Sequence, residues 1–454
     1  MLSSILLSWV LAVSSPVPQT LDTPFPVWDA IVEDINHDGN PDVLALCKPD
    51  DPSIRLKYLF VFMSKGKGLF NSKPDVKFEL EPRTGLFMVG DFLVGDHKEI
   101  LVTTPGGCIF LRFQDGSFVQ VGESKFTSLL PTYTLKPRFL RDSVSDMDGD
   151  GIDEWVMPVP GGLMIQNTQG FSRFLEGDNT SELMDVGGLT VIHRLPDVHI
   201  YDQKDVETKS IALLSERRVD WYEGQAWEEH GDFDIPVQLK ENWEARTKLE
   251  DVNGDGHPDL MVTQTKGTID LSTMVQIYLF NASTRYPKKP TFQTTFKGGV
   301  TNPTLFDVDK DGDMDLVLIN IPFSFKNMAN FFLRKKMSVR IDIHFFNGKS
   351  FSKKADYKQN FTLDAPDGQE RVGYSLGDFS GDGYTDVAIS QGRDLISVYT
   401  GGKERLLSAR PKYQFKLPAF GVLSTQDINV SGGRDLLLFR SVGKDNKRID
   451  VICF

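Results

Sequence analysis

Along the chain the dominant pattern is a recurring five-residue apolar run rich in Val, Leu and Ile. The copies are VLALC from Val43, ILVTT from Ile100, WVMPV from Trp155, IALLS from Ile211, LMVTQ from Leu260, LVLIN from Leu316, VAISQ from Val387 and LLLFR from Leu436. Unbroken β-branched runs of this length predict strands buried on both faces. A Gly-rich or polar turn and a second extended segment usually follow, as in GCIFLRFQDG, VQIYLFNAS and LISVYTGG. Such punctuation predicts antiparallel neighbours. Helical periodicity is nearly absent, so an all-β fold is expected.

A nine-residue polar segment stands before each run. Five segments share the pattern D-x-[DNS]-x-D-G-x-x-[DE]: DINHDGNPD from Asp34, DMDGDGIDE from Asp146, DVNGDGHPD from Asp251, DVDKDGDMD from Asp307 and DFSGDGYTD from Asp378. Weaker copies start at Asp91, Asp202 and Asp427, and successive starts lie 49 to 71 residues apart. A repeat of about fifty residues with three or four short strands is one blade of a β-propeller. The copy number predicts eight blades, or seven if the Asp202 copy forms no sheet of its own. After Asp435 there is room for only two strands, LLLFR and RIDVICF. The segment Pro18 to Phe25 is therefore expected to supply a missing outer strand, closing a ring without exposed sheet edges.

The polar segments have the chemistry of an oxygen cage. Carboxylates or amides alternate at positions one, three and five, a glycine at six permits a sharp turn, and position nine returns toward the same point. The candidate ligands are Asp34, Asn36, Asp38, Asn40 and Asp42; Asp146, Asp148, Asp150, Ile152 and Glu154; Asp251, Asn253, Asp255, His257 and Asp259. The remaining two sets are Asp307, Asp309, Asp311, Asp313 and Asp315; Asp378, Ser380, Asp382, Tyr384 and Asp386. The position-seven members, Asn40, Ile152, His257, Asp313 and Tyr384, contribute a backbone carbonyl. Five or more hard oxygens suit Ca²⁺ better than Mg²⁺ with its strict octahedron, and about five Ca²⁺ sites are expected. An EF-hand would need a bidentate Glu at position twelve, where this chain has Ala45, Met157, Val262, Leu318 and Ile389. The Asp91 and Asp202 copies put Leu93, Gly95, Lys204 and Val206 where ligands belong and are expected to hold no ion; Ser431 weakens the Asp427 copy. His37 and His257 are read as spacers facing solvent.

These loops also carry a family resemblance. GYSLGDFSGDGYTDVAISQG, from Gly373 to Gly392, resembles the repeats of FG-GAP/VCBS proteins, whose best-known members are the integrin α-subunit propellers, and Phe420-Gly421 gives the Phe-Gly element again. The Gly-Ala-Pro element is replaced by Ser390-Gln391-Gly392, which marks a divergent, VCBS-like member. The resemblance implies that each loop joins the first two strands of a blade and that its Ca²⁺ is structural.

Charge narrows the partners. With 50 Lys+Arg against 63 Asp+Glu the formal net charge is -13, which argues against nucleic acid or an anionic membrane surface. Five bound Ca²⁺ would bring that charge to -3. Leu2 to Val13 (LSSILLSWVLAV) reads as a secretory signal, with residues 1–14 as leader and 15–454 as a single domain. No later run is long enough to span a membrane. Three cysteines, Cys47, Cys108 and Cys453, offer no disulfide framework and read as buried small hydrophobes.

No HExxH, GxSxG, P-loop or GxGxxG motif is present, so the chain is not read as an enzyme. The expectation is a secreted, periplasmic or cell-surface Ca²⁺-binding propeller. It would act as a monomeric, non-catalytic binding or adhesion module with a protein or glycan ligand. The alternative is a carbohydrate-active protein, either a lyase-like enzyme or a lectin with walls built by Trp155, Trp221, Trp227 or Trp243. An insertion from Phe323 to Arg340 (FSFKNMANFFLRKKMSVR) breaks the repeat. It is expected to be a short helix on a blade edge with a solvated basic face, or else a contact site around Phe331, Phe332, Arg334, Lys335 and Lys336.

Overall fold

The computed structural model describes residues 16–454 apart from 52, 96, 128, 130–135, 178–179, 186–188, 203–207, 225–226, 237–242, 268–270, 282–284, 301–302, 323, 365–372, 404–405 and 420. The expected leader, Lys204, Val206 and Phe420 thus lie outside the described residues.

The described chain is all-β with one short helix, and most of its strands follow one another in antiparallel sets of four; Arg138–Phe139 adds to Leu86–Gly90 in parallel, and Thr180–Asp185 pairs with Leu189–Arg194 in a separate two-stranded sheet. Sheet I comprises Val27–Glu33, Asp42–Cys47, Lys57–Phe62 and Val76–Leu80, and sheet II comprises Leu86–Gly90, Glu99–Thr104, Gly107–Gln114 and Ser117–Lys125. Sheet III has Val144–Ser145, Glu154–Val159, Gly162–Gln166 and Ser172–Glu176, and sheet IV has Asp197–Tyr201, Ser210–Leu214, Arg218–Glu223 and Glu228–Asp234. Sheet V (Trp243–Glu250, Asp259–Lys266, Ser272–Tyr278, Phe292–Val300) is joined to sheet VI (Thr304–Phe306, Asp315–Pro322, Lys336–His344, Tyr357–Asp364) by pairing of Gly298–Val300 with Asn320–Pro322. Sheet VII is Tyr374–Gly377, Asp386–Ser390, Leu395–Tyr399 and Tyr413–Lys416. Sheet VIII is Val422–Gln426, Asp435–Phe439 and Arg448–Ile452, completed by Gln19–Asp22 with Leu21 opposite Ile449. The N-terminal segment therefore does supply the outer strand of the last sheet.

Burial explains the sequence pattern. The second strands Asp42–Cys47, Glu154–Val159, Ser210–Leu214, Asp386–Ser390 and Asp435–Phe439 are buried at every residue, as continuous apolar runs require. Outer strands alternate instead: in Tyr357–Asp364, Phe361 and Leu363 point inward while Lys358, Asn360 and Thr362 face water.

The core lies between successive sheets. Leu44 and Leu59 of sheet I pack with Phe87 and Ile100 of sheet II, and Phe92 and Phe110 of sheet II pack with Trp155 of sheet III. The same interlock continues through each pair to Phe415 of sheet VII against Leu436 of sheet VIII. It ends with Leu437 and Ile449 of sheet VIII against Val43 and Phe60 of sheet I, so the last sheet packs on the first. Trp155, Trp221 and Trp227 are 0–1% exposed members of these cores, which removes them as walls of a glycan pocket. Cys47 and Cys108 are buried and free as expected, whereas Cys453 is half-buried.

Helix α1 (Phe325–Arg334) fills the connection between the second and third strands of sheet VI. The expected helix is there, but its solvated face is apolar as well as basic.

Candidate metal centre

The nine-residue segments join the first two strands of sheets I, III, V, VI and VII, and side-chain bonds to the backbone fold them. The position-one carboxylate accepts the N–H of the position-six glycine in each: Gly39 to Asp34 at 2.9 Å, Gly151 to Asp146 at 3.0 Å, Gly256 to Asp251 at 2.9 Å, Gly312 to Asp307 at 3.2 Å and Gly383 to Asp378 at 2.6 Å. Those glycines have φ between +81° and +95°, a conformation that a side chain would strain. Position five accepts the position-seven N–H at 2.8–2.9 Å: Asn40 to Asp38, Ile152 to Asp150, His257 to Asp255, Asp313 to Asp311 and Tyr384 to Asp382. Position three accepts from position five at 3.1–3.3 Å in the loops containing Asn36, Asp148, Asn253 and Asp309. Most of these oxygens keep a further lone pair, Asp38 Oδ1 excepted because it also accepts from the Asn40 amide at 3.0 Å. The loops therefore aim acceptors inward while their backbone donors are satisfied.

Two loops gather three acidic oxygens within 4.8 Å of one another: Asp146 with Asp148 and Glu154, and Asp307 with Asp309 and Asp311. Asp307 Oδ1 is shielded from solvent and accepts no hydrogen bond. Hard oxygens at this spacing fit a divalent cation with oxygen coordination. Burial, with the neighbouring carboxylates adding to it, raises the acids of Asp148 and Asp309 above the usual range.

Position nine does more than sequence spacing implies. Asp42, Glu154, Asp259, Asp315 and Asp386 are each 0% exposed. Glu154, Asp259, Asp315 and Asp386 accept the position-two N–H of Met147, Val252, Val308 and Phe379 at 2.9–3.1 Å. Their other oxygens reach beyond the loop, to the N–H of Phe280 (2.6 Å), Phe346 (3.1 Å) and Gly401 (2.6 Å) and to the Asn167 amide (3.0 Å). Desolvation pushes Asp42, Glu154, Asp259 and Asp315 up to about 7 and Asp386 up to about 6. Among the described residues no basic side chain pairs with any of these five.

The degenerate copies solve the same problem differently. In sheet II, Glu99 is 0% exposed and accepts from Phe92 at 3.1 Å, but its other oxygen meets Arg112 Nη2 at 2.5 Å. In sheet IV position nine is Ser210, buried and neutral. The Asp427 loop keeps the fold of the full copies, with Gly432 donating to Asp427 at 2.8 Å and Ile428 to Asp435 at 2.8 Å.

Neighbouring loops are stitched together. The Asp91, Asp307 and Asp378 carbonyls accept from Asp153 N–H (2.9 Å), Thr385 Oγ1 (3.2 Å) and Arg434 N–H (2.9 Å) of the following loop. Of the two loop histidines His37 is exposed, as expected of a spacer, whereas His257 is half-buried. His37 Nε2 accepts the Lys98 N–H at 2.8 Å, and His257 stacks on Phe280 with ring centres 4.6 Å apart. Sequence spacing could not show either contact, because Lys98 lies in the next repeat and Phe280 beyond the third strand of sheet V.

The strand-order reading also missed a cavity of about 910 Å³ between the first strands of sheets III, IV and V, lined by Asp142, Asp197, His199, Lys248 and Glu250. Burial lowers the His199 imidazole and raises the Asp197 acid.

No curated protein sequence matches the chain. Among solved structures it is similar to the Vibrio cholerae biofilm matrix protein Bap1, at 10% identity over 95% of this chain and 88% of that one, with a TM-score of 0.38. It is similar to the WD40 domain of Toxoplasma gondii coronin at 7% identity over 97% and 86%, with a TM-score of 0.40. BBS1N, solved in complex with ARL6DN, aligns at 8% identity over 81% and 91%, with a TM-score of 0.37. Residues 251–318, which hold the Asp251 and Asp307 loops, match the family model of the FG-GAP-like repeat. That stretch of the chain is thus FG-GAP-like repeat, consistent with an FG-GAP repeat protein.

Proposed function

We propose that the chain is an eight-bladed propeller whose five complete loops hold structural Ca²⁺, and that it serves as a non-catalytic binding or adhesion module outside the cytoplasm. Packing of sheet VIII on sheet I supports the ring. One contrast carries the metal assignment: the buried position-nine carboxylate has an arginine partner where the loop lacks ligands, in sheet II, and none where the ligands are complete. A buried carboxylate without a counter-charge is costly, and a bound cation supplies one. The ion would be held by positions one, three, five and nine and the position-seven carbonyl, and would clamp each loop across the end of its sheet. Because the loop side chains also anchor their own backbone, their role is structural rather than catalytic. Elemental analysis of the purified protein tests this: about five equivalents of calcium are expected, and none would sink it.

The cavity lined by Asp142, Asp197, His199, Lys248 and Glu250 favours a second reading, a glycan site with His199 held neutral as a base. Binding on a glycan array without unsaturated products from uronate polymers supports the module; turnover supports a lyase.

A further inference from the structure

Helix α1 has reversed polarity. A helix lying on a protein normally buries its apolar stripe. Here the protein-facing contact is polar: Asn327 donates to the carbonyls of Pro322 (2.8 Å) and Ser338 (3.2 Å) and accepts the Ser338 N–H at 2.8 Å. The ends are defined as well, because Ser324 Oγ accepts from Asn327 N–H at 3.1 Å and Lys335 closes the helix with φ 52°. This orientation leaves Phe325, Phe332 and Leu333 in water, 85%, 66% and 83% exposed. At 100° per residue the three fall in one sector, with Lys326 beside it. From Phe325 to Lys336 the chain has four cations, Lys326, Arg334, Lys335 and Lys336, and no acid.

Topology separates these cations from the acidic loops. The loops join the first and second strands of each sheet, whereas α1 joins the second and third, so the two features lie at opposite ends. The strand between them, Asp315–Pro322, has eight residues and spans roughly 26 Å, against a Debye length of about 8 Å at physiological ionic strength. The net charge of -13 thus describes the average and not the field at α1. A groove of about 880 Å³ adjoins the helix, where Arg334, Lys335, Arg393, Lys416 and Lys444 outnumber Asp364, Asp394 and Asp445.

We infer that α1 is a docking element for an anionic lipid bilayer. Its apolar ridge seats at the boundary between headgroups and acyl chains, and its cations pair with lipid phosphates. A soluble anionic polymer would satisfy the cations but leave the ridge in water. The inference does not depend on metal in the loops.

Co-sedimentation of the full chain with phosphatidylcholine vesicles, with and without phosphatidylglycerol and at fixed calcium, tests it. Binding is expected only with the anionic lipid and is expected to fall with added salt. Changing Lys326→Ala together with Arg334→Ala should weaken it about thirtyfold, at about 1 kcal/mol per cation near the surface. Phe332→Ser with Leu333→Ser should abolish it without moving the melting midpoint, since both side chains are exposed. The inference is overturned if the protein ignores anionic vesicles, if the Ser variant binds them as well as the parent, or if heparin is bound while vesicles are not.

Discussion

The loops of sheets II and III occupy equivalent places and bury the same group, yet they meet opposite needs. In sheet III, Glu154 sits beneath Asp146, Asp148 and Asp150 with only backbone and amide donors, and burial pushes it up to about 7. In sheet II, Leu93 and Gly95 have replaced the ligands, and Arg112 reaches Glu99 from the neighbouring strand. In this pair of loops the buried carboxylate has an arginine neighbour where the ligand positions are lost and backbone or amide donors where they are kept.

Chelation is the sharpest way to break this comparison. Removing calcium should lower the melting midpoint by many degrees, since each site at a hundredfold excess over Kd contributes about 2.7 kcal/mol. Calorimetry with and without EGTA checks it, and an unchanged midpoint removes the difference between the two loops.

The pH response should then depend on metal. Asp42, Glu154, Asp259 and Asp315 titrate near 7 in the folded chain, above their ordinary values. The folded state therefore binds protons more tightly than the unfolded one, and their contribution is complete below about pH 4 and lost as pH rises through about 7. In EGTA, urea midpoints should be higher at pH 5 than at pH 8, and calcium should flatten or reverse that slope.

Sheet II makes the complementary test. Arg112→Ala leaves Glu99 buried without a partner and should cost about 3–5 kcal/mol, with no rescue by calcium. Arg112→Met combined with Glu99→Gln should recover much of the loss. Recovery of the single variant by calcium would show that the sheet II loop also takes an ion.

The smallest effect lies in sheet VIII. Val430 occupies position four with φ 57°, where the Asp146, Asp251 and Asp378 loops have glycine. Val430→Gly should stabilise the chain by about 1 kcal/mol, read from the urea midpoint.

Much of the fold was legible because its signals are local. The alternation of carboxylates with a glycine at position six, then an unbroken Val- and Leu-rich run, specifies a turn entering a strand buried on both faces wherever it occurs. The pairing of Glu99 with Arg112 was hidden because it depends on strand register, and the stacking of His257 on Phe280 because it crosses the sheet. The helix in the insertion could be expected from FKNMANFFLR, but its facing could not, since it is set by Asn327 bonding to Pro322 and Ser338.

The amino-acid order alone thus determined the repeat, the all-β character and the placing of acidic side chains at one end of each unit, since all three follow from spacing within about fifty residues. Tertiary structure decided which buried carboxylates lack a cation, that Gln19–Asp22 completes the last sheet, and that Phe325, Phe332 and Leu333 face outward. Those outcomes join residues distant in the chain, and the free energy of burying a charge or exposing an apolar ridge exists only once the sheets have met.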